Sequence, residues 1–252
     1  MNSPLRVIIL GATSAIAEAT ARLYASEKAC LLLAGRNADR LRAISVDLLA
    51  RGATSAPIEA LDLSQTGVAV ATLERMIATL GGVDHILLFY GVLGDQGRAE
   101  ADPNHASEIL NVNFTSAAQW CLAAAAKLEA QGRGSLVVIG SVAGDRGRQS
   151  NYVYGAAKAG LATLVQGIAH RLALRSPKSA RAVLVKPGFV DSPMTAGSKK
   201  GGPLWAKPEG IAAIVRKAAD RGGPIVYAPW FWRFILLGIR LVPAAIFHKV
   251  PL

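Results

Sequence analysis

The sequence predicts an α/β fold, a doubly wound parallel sheet of about seven strands flanked by helices, and two observations predict it. Apolar runs of strand length recur along the chain: LRVIIL, ACLLLAG, TSAPIEAL, DHILLFYG, GSLVVIG, ARAVLVKPG and GPIVYA. Helical patterns separate most of them, including EATARLYASE, NADRLRAISVDLLARG and SEILNVNFTSAAQWCLAAAAKLEAQG. Such alternation implies right-handed crossovers between parallel strands. The 252 residues suit one domain with a full core, and no internal repeat or low-complexity linker divides them. The domain is expected over 1–229, with an apolar helical tail over 230–252 that either belongs to it or associates with a membrane.

Composition narrows the class. Hydrophobic residues make up 52%, much of it alanine. Cys30 and Cys121 lie in apolar contexts, which excludes a disulfide framework and fits a reducing, cytoplasmic compartment. His85, His105, His170 and His248 are scattered without metal-ligand spacing, so no metal site is expected. The opening run VIIL is too short for a signal peptide and leads straight into a glycine turn. Charge is uneven: residues 1–145 hold 11 Lys/Arg and 14 Asp/Glu, whereas residues 146–252 hold 17 Lys/Arg against Asp191, Glu209 and Asp220. The second half therefore carries +14 of a net +11, which suggests an anionic partner: a phosphate-bearing substrate, a membrane surface or nucleic acid. A solvated basic surface is the plain alternative.

The first strand runs into Gly11-Ala-Thr-Ser-Ala-Ile-Ala17 and then a helix. Gly11 suits a tight turn, and the amides of a helix start face a pyrophosphate favourably. The usual dinucleotide fingerprint would also place glycine at 15 and 17; here both are alanine. Strand two ends Ala34-Gly35-Arg36-Asn37, without the carboxylate that binds a ribose 2′-hydroxyl. The planar fork of Arg36 suits a 2′-phosphate, so NADP(H) is expected over NAD(H). Asp62, after strand three, either accepts from the adenine amino group or caps the next helix.

The stretch SVAGDRGRQSNYVYGAAK carries the chemistry. Tyr154 and Lys158 are i,i+4, one turn apart on a single helix face, whereas Tyr152 has no lysine at that spacing. A free phenol titrates near ~10, and an adjacent ammonium is expected to lower that value. Ser141, at the end of LVVIG, is placed to reach the same oxygen, giving an acid–base site for a carbonyl or secondary alcohol. An exposed tyrosine and lysine on an ordinary helix is the bland alternative.

Taken together, these motifs resemble the short-chain dehydrogenase/reductase family over nearly the whole chain, which implies a Rossmann-like domain. Ser141, Tyr154 and Lys158 are similar to its catalytic serine, tyrosine and lysine, and Asn113 in LNVNFTSA to its catalytic asparagine. Pro187-Gly188-Phe189-Val190-Asp191-Ser192 is similar to the segment that holds the nicotinamide carboxamide. The cofactor set implied is Gly11, Thr13, Ser14, Ile16, Arg36, Asp62, Leu63, Tyr90, Gly91, Tyr154, Lys158, Pro187, Gly188, Val190 and Ser192. The family's Asn-Ala-Gly after strand four is here Phe89-Tyr90-Gly91. The resemblance implies an NAD(P)H-dependent reductase in which Tyr154 protonates an alkoxide and Ser141 orients it. Lys158 would hold the nicotinamide ribose, and Asn113 a water beside the lysine.

LLFYGVLGD, VAGDRGRQSNYVYGAAKAGL and RFILLGIRLVPAAIFHKVPL resemble, more closely, the decaprenylphosphoryl 2-ketopentose reductases. That likeness implies a keto sugar on a polyprenyl phosphate as substrate, a role in cell-envelope polysaccharide synthesis and a separate flavin oxidase as partner. Arg146 and Arg148 are candidates to face the substrate phosphate; pairing with acids of a neighbouring subunit of a homo-oligomer is the alternative. Residues 195–207 read as a mobile lid. The tail WFWRFILLGIRLV sets Arg233 and Arg240 on one stripe, fitting a peripheral contact with the inner membrane face or packing on another subunit. Two other functions compete: a cytosolic reductase of a small ketone, acyl thioester or free sugar, and a non-enzymatic nucleotide-sensing or nucleic-acid-binding protein. The intact serine–tyrosine–lysine set argues against the last, and no nucleic-acid motif is present.

Overall fold

In a computed structural model, which describes residues 3–176, 179–197 and 201–250, seven strands form one parallel sheet. They are β1 (Arg6–Leu10), β2 (Cys30–Gly35), β3 (Ile58–Ala60), β4 (His85–Leu88), β5 (Gly134–Ile139), β6 (Ala180–Pro187) and, after a separate pair β7 (Phe189–Val190) and β8 (Trp205–Ala206), β9 (Ile225–Ala228). The order is β3-β2-β1-β4-β5-β6-β9, so the winding reverses between β1 and β4. That reversal leaves a crevice at the carboxyl ends of the strands, where such sheets bind ligands.

Period-two alternation explains why each strand stays in register. Ile8 and Leu10 of β1, with Leu32, Ile86, Leu136, Val138 and Leu184, point to one face, and Val7, Ile9, Leu31, Leu33, Leu87, Val137 and Val183 to the other. The first face packs on α3 (Ala69–Leu80), α6 (Ser116–Gln131) and α7 (Tyr152–Arg175) through Met76, Trp120, Leu128, Leu161 and Val165. The second packs on α1 (Ala15–Ser26), α2 (Ala38–Ala50) and α8 (Pro208–Arg221) through Tyr24, Leu41, Leu48, Ile211 and Val215. A slip of one residue would move each set to the wrong layer.

Two local details depart from the sequence reading. The long middle helix is broken into α5 (Pro103–Leu110) and α6 by a π turn at Asn111–Thr115, preceded by the short α4 (Gln96–Ala101). The lid segment is stitched at one end, because β8 pairs in parallel with β7, Phe189 opposite Trp205 and Val190 opposite Ala206. Residues 198–200 of that segment lie outside the described residues.

The tail forms α9 (Trp232–Leu241) and α10 (Ala244–Phe247). One face of α9 packs on this chain itself: Trp232 and Leu236 are buried with Val142, backed by Tyr227, Ile235 and Ile239. The opposite face leaves Trp230, Phe234, Leu237 and Leu241 more than half exposed. Among the described residues no helix is long and apolar enough to cross a membrane.

Candidate active site

The β1–α1 turn opens the site. Gly11 has φ +88°, and a Cβ there would lie 2.6 Å from the Tyr90 nitrogen, so both the conformation and the space demand glycine. Ser14 caps α1 by accepting from Ala17 N at 3.2 Å. Ala17 is fully buried beneath that first turn. The amides of Ala15 and Ile16 take no acceptor among the described residues, and both residues line a strand-end cavity of about 410 Å³. Free donors at a helix start beside a pocket fit a pyrophosphate even with alanine at 15 and 17.

Arg36 sits exposed at the end of β2, and its charge helps hold Asp62 below the ordinary carboxylate range. The larger causes are the backbone and hydroxyl of Ser64, which donate to Asp62 Oδ1 at 2.9 and 2.8 Å. Leu63 is buried, and its carbonyl accepts from Trp120 Nε1 at 3.0 Å. These three residues lie outside the cavity lining, whereas Thr13, Ser14, Ile16, Tyr90, Gly91, Pro187, Gly188, Val190 and Ser192 are part of it. Tyr90 turns its hydroxyl to Ser116 Oγ at 3.1 Å, and burial pushes its pKa up.

Ser141, Tyr154 and Lys158 all line the same cavity. Ser141 caps the 3₁₀ turn Val142–Gly144 by accepting from Ala143 N at 3.1 Å, which fixes it where β5 meets α7. Tyr154 and Lys158 are buried one turn apart on α7, with Lys158 Nζ donating to the Ile139 carbonyl at 3.2 Å. Burial pushes the Tyr154 phenol up to about 12, partly offset by the Ser141 hydroxyl. Burial likewise pushes Lys158 down to about 8. Burial thus outweighs the lowering of the phenol's pKa expected from the ammonium. Nζ lies 5.8 Å from the ring centroid, and loss of hydration dominates for both groups.

Asn113 sits in the π turn, fully buried. It donates to the carbonyls of Val92 and Ile109 at 2.8 and 2.9 Å and accepts from Val92 N at 3.2 Å. It is absent from the cavity lining but adjoins Gly91.

The two loop arginines separate. Arg146 turns away from the cavity and donates to the carbonyls of Ile239 and, at 2.8 Å, Val242, with its guanidinium 3.7 Å over the Phe247 ring. It satisfies carbonyls at the C-terminus of α9, so the expectation that it faces substrate gives way to a structural tie. Arg148 lines the cavity. Between serine and arginines, Asp145 is buried in an ion pair with Lys186 and accepts from Tyr227 Oη at 2.7 Å.

Several lining residues were not singled out from the sequence. Leu93, Val142, Asn151, Phe189 and Met194 enter from loops, short turns and the two-residue strand β7, whose direction spacing does not set. Phe189 stacks on Trp205 at 5.4 Å and meets the edge of Trp232 at 5.5 Å, so the tail helix buttresses the Pro187–Ser192 side of the cavity. A Cβ on Gly188 would collide with the Trp232 indole, a long-range reason for that glycine.

A sheet that reverses beside a glycine turn, with serine, tyrosine and lysine in one strand-end cavity, describes a dinucleotide-dependent oxidoreductase. The chain belongs to the short chain dehydrogenase family, whose profile matches residues 6–202. It is 38% identical over 248 residues to an uncharacterized oxidoreductase of Mycobacterium tuberculosis, covering 97% of this chain and 96% of that one. It is 35% identical over 251 residues to an uncharacterized oxidoreductase of Streptomyces coelicolor, covering 98% and 96%. Among solved structures, a candidate NAD(P)-dependent gluconate 5-dehydrogenase from Beutenbergia cavernae with bound NADP superposes with TM-score 0.80 at 23% identity, over 91% of this chain and 97% of that one. A short-chain type dehydrogenase/reductase from Mycobacterium marinum gives 0.79 at 21% identity, over 91% and 96%. The protein is an NAD(P)-dependent enzyme of this family.

Proposed function

We propose that the enzyme reduces a ketone to a secondary alcohol, and that its substrate is a keto sugar carried on a polyprenyl phosphate. The convergence of Ser141, Tyr154 and Lys158 on one cavity supports the reaction. The nicotinamide, when bound, supplies the hydride that goes to the carbonyl carbon. Thr13, Ser14, Ala15 and Ile16 would hold its pyrophosphate on the turn that Gly11 makes, and Pro187, Gly188, Val190 and Ser192 its carboxamide side. Tyr154, with its phenol pushed up to about 12, keeps its proton at neutral pH and gives it to the alkoxide oxygen as the new C–H bond forms. Ser141 donates to the same oxygen and fixes its direction. Lys158 sits deep enough to bind ribose hydroxyls, and its charge assists the phenolate left on Tyr154.

NADP(H) is the preferred cofactor in this reading, because the end of β2 carries Arg36 and no carboxylate. Arg36→Ala is expected to weaken NADPH by about tenfold or more and NADH little, since a lost hydrogen bond to a charged group is worth ~1.5–3 kcal/mol. Fluorescence titration of both cofactors measures this; equal losses would mean that Arg36 does not read the 2′-phosphate.

The lipid carrier is supported by the likeness of the tail and the two loops to polyprenyl-phosphate ketopentose reductases, and by the outer face of α9. Trp230, Phe234, Leu237 and Leu241 form one exposed apolar stripe, flanked by Arg233 and Arg240, which have no acidic partner among the described residues. An apolar stripe bordered by cations suits an anionic lipid surface, each cation there being worth ~1 kcal/mol. The full chain is expected to co-sediment with anionic vesicles at low salt and to be released as salt rises. Phe234→Ser with Leu237→Ser, both on the outer face, should abolish sedimentation and preserve NADPH binding. A full chain left in the supernatant, or an oligomer dissociated by those changes, would make the stripe a subunit interface instead.

A further inference from the structure

Four of the second half's cations are already matched. Arg171 and Arg175 pair with Glu129 at 2.7 and 2.8 Å, Arg216 with Glu27 and Asp220 at 2.7 Å each, and Lys186 with Asp145. Arg148 has no acidic partner among the described residues. It lines the catalytic cavity and also a second one of about 660 Å³, whose lining includes Phe247, His248, Lys249 and Val250 of the tail. No acid contributes to that second lining. Arg146, by stacking on Phe247, holds the end of the tail there.

We propose that the second cavity is an anion subsite, in which Arg148, His248 and Lys249 bind the phosphoryl group of the substrate while its ketone lies against Tyr154. The inference rests on the ketoreductase reading above. A phosphoryl group one or two carbons from a reacting ketone needs its cation at the junction of the two spaces, and Arg148 is at that junction. Its planar fork binds two phosphoryl oxygens at once, and Lys249 of the same lining adds a point charge. Burial without a carboxylate holds the Arg148 guanidinium below its ordinary pKa, so an arriving anion meets a partly desolvated cation. The tail thereby completes a substrate site as well as bracing the fold.

The test uses the whole chain saturated with NADPH, at constant ionic strength, with Arg148→Gln and Lys249→Gln. Calorimetry with geranyl phosphate and with inorganic phosphate reads binding without turnover. Kinetics with a 2-ketopentose and its phosphate ester read the site in use. The expected result is a loss of geranyl phosphate affinity of about tenfold or more for Arg148→Gln and severalfold for Lys249→Gln. KM for the phosphate ester should rise in parallel, and by more than any change in the KM of the free ketose, so that the preference for the ester over the free ketose falls. An equal loss for inorganic phosphate indicates recognition of the phosphoryl group alone; a loss confined to geranyl phosphate indicates that the lipid ester is read. Parent protein that binds neither probe, or variants that bind both as the parent does, overturn the subsite. A protein that binds geranyl phosphate through these residues yet oxidises NADPH with neither ketose keeps the anion site and refutes the ketoreductase reading.

Discussion

Tyr154→Phe is expected to lower turnover by about a hundredfold or more while NADPH binding persists. The change removes one oxygen and leaves the ring, so the packing of α7 against the Ser141 turn is kept. What is lost is the only proton on the phenol. General acid catalysis by a positioned group contributes roughly two to four orders of magnitude. Ser141 can orient the oxygen but cannot replace the acid, because an alkyl hydroxyl is a far weaker acid than a phenol. NADPH titration of the variant checks that the site remains formed, and steady-state rates with a responsive ketone check the loss. Turnover close to the parent would mean that the proton comes from elsewhere.

Asp145→Ala is expected to cost about 3–5 kcal/mol of stability, the usual penalty for removing one partner of a buried ion pair. Asp145 and Lys186 are 2% and 7% exposed in their side chains, so the ammonium left behind has no water to turn to. The same carboxylate accepts from Tyr227 Oη, tying the Ser141 loop, the end of β6 and β9 together. Lys186 immediately precedes Pro187-Gly188, so the loss should reach the nicotinamide side of the cavity and weaken NADPH as well. Urea denaturation of parent and variant measures the difference. A loss below ~1 kcal/mol, the worth of an exposed pair, would contradict the burial argument.

The strands were legible because each is a short apolar run closed by a polar or glycine boundary, as in Arg6–Leu10 and Gly134–Ile139. The spacing of Tyr154 and Lys158 was legible for a different reason: a helix converts four residues into one face, and both side chains do line one cavity. What spacing does not give is the direction of side chains on loops. Arg146 and Arg148 are two apart, yet one grips the tail and the other faces the cavity, because the ends of α9 and α10 come within reach only after folding. The π turn at Asn113 was hidden for a similar reason, since its extra residue is stabilised by Val92 across the fold rather than by local sequence. The net direction of the Tyr154 pKa was not legible from sequence, because neighbour charge is visible there and burial is not. The tail's buried face could have been found in the three-to-four spacing of Trp232, Ile235, Leu236 and Ile239, had the exposed stripe not been just as apolar.

Above all, this cavity is expected to move hydride to a ketone with Tyr154 as the acid. The most direct measurement supplies NADPH deuterated at the transferable position, offers a panel of keto sugars with and without polyprenyl phosphate, and locates the label by mass spectrometry. The predicted result is one deuterium on the carbinol carbon of a reduced sugar, with parent protein and not with Tyr154→Phe. Label that stays on the cofactor with every ketone, or that transfers equally well without the tyrosine hydroxyl, would contradict it.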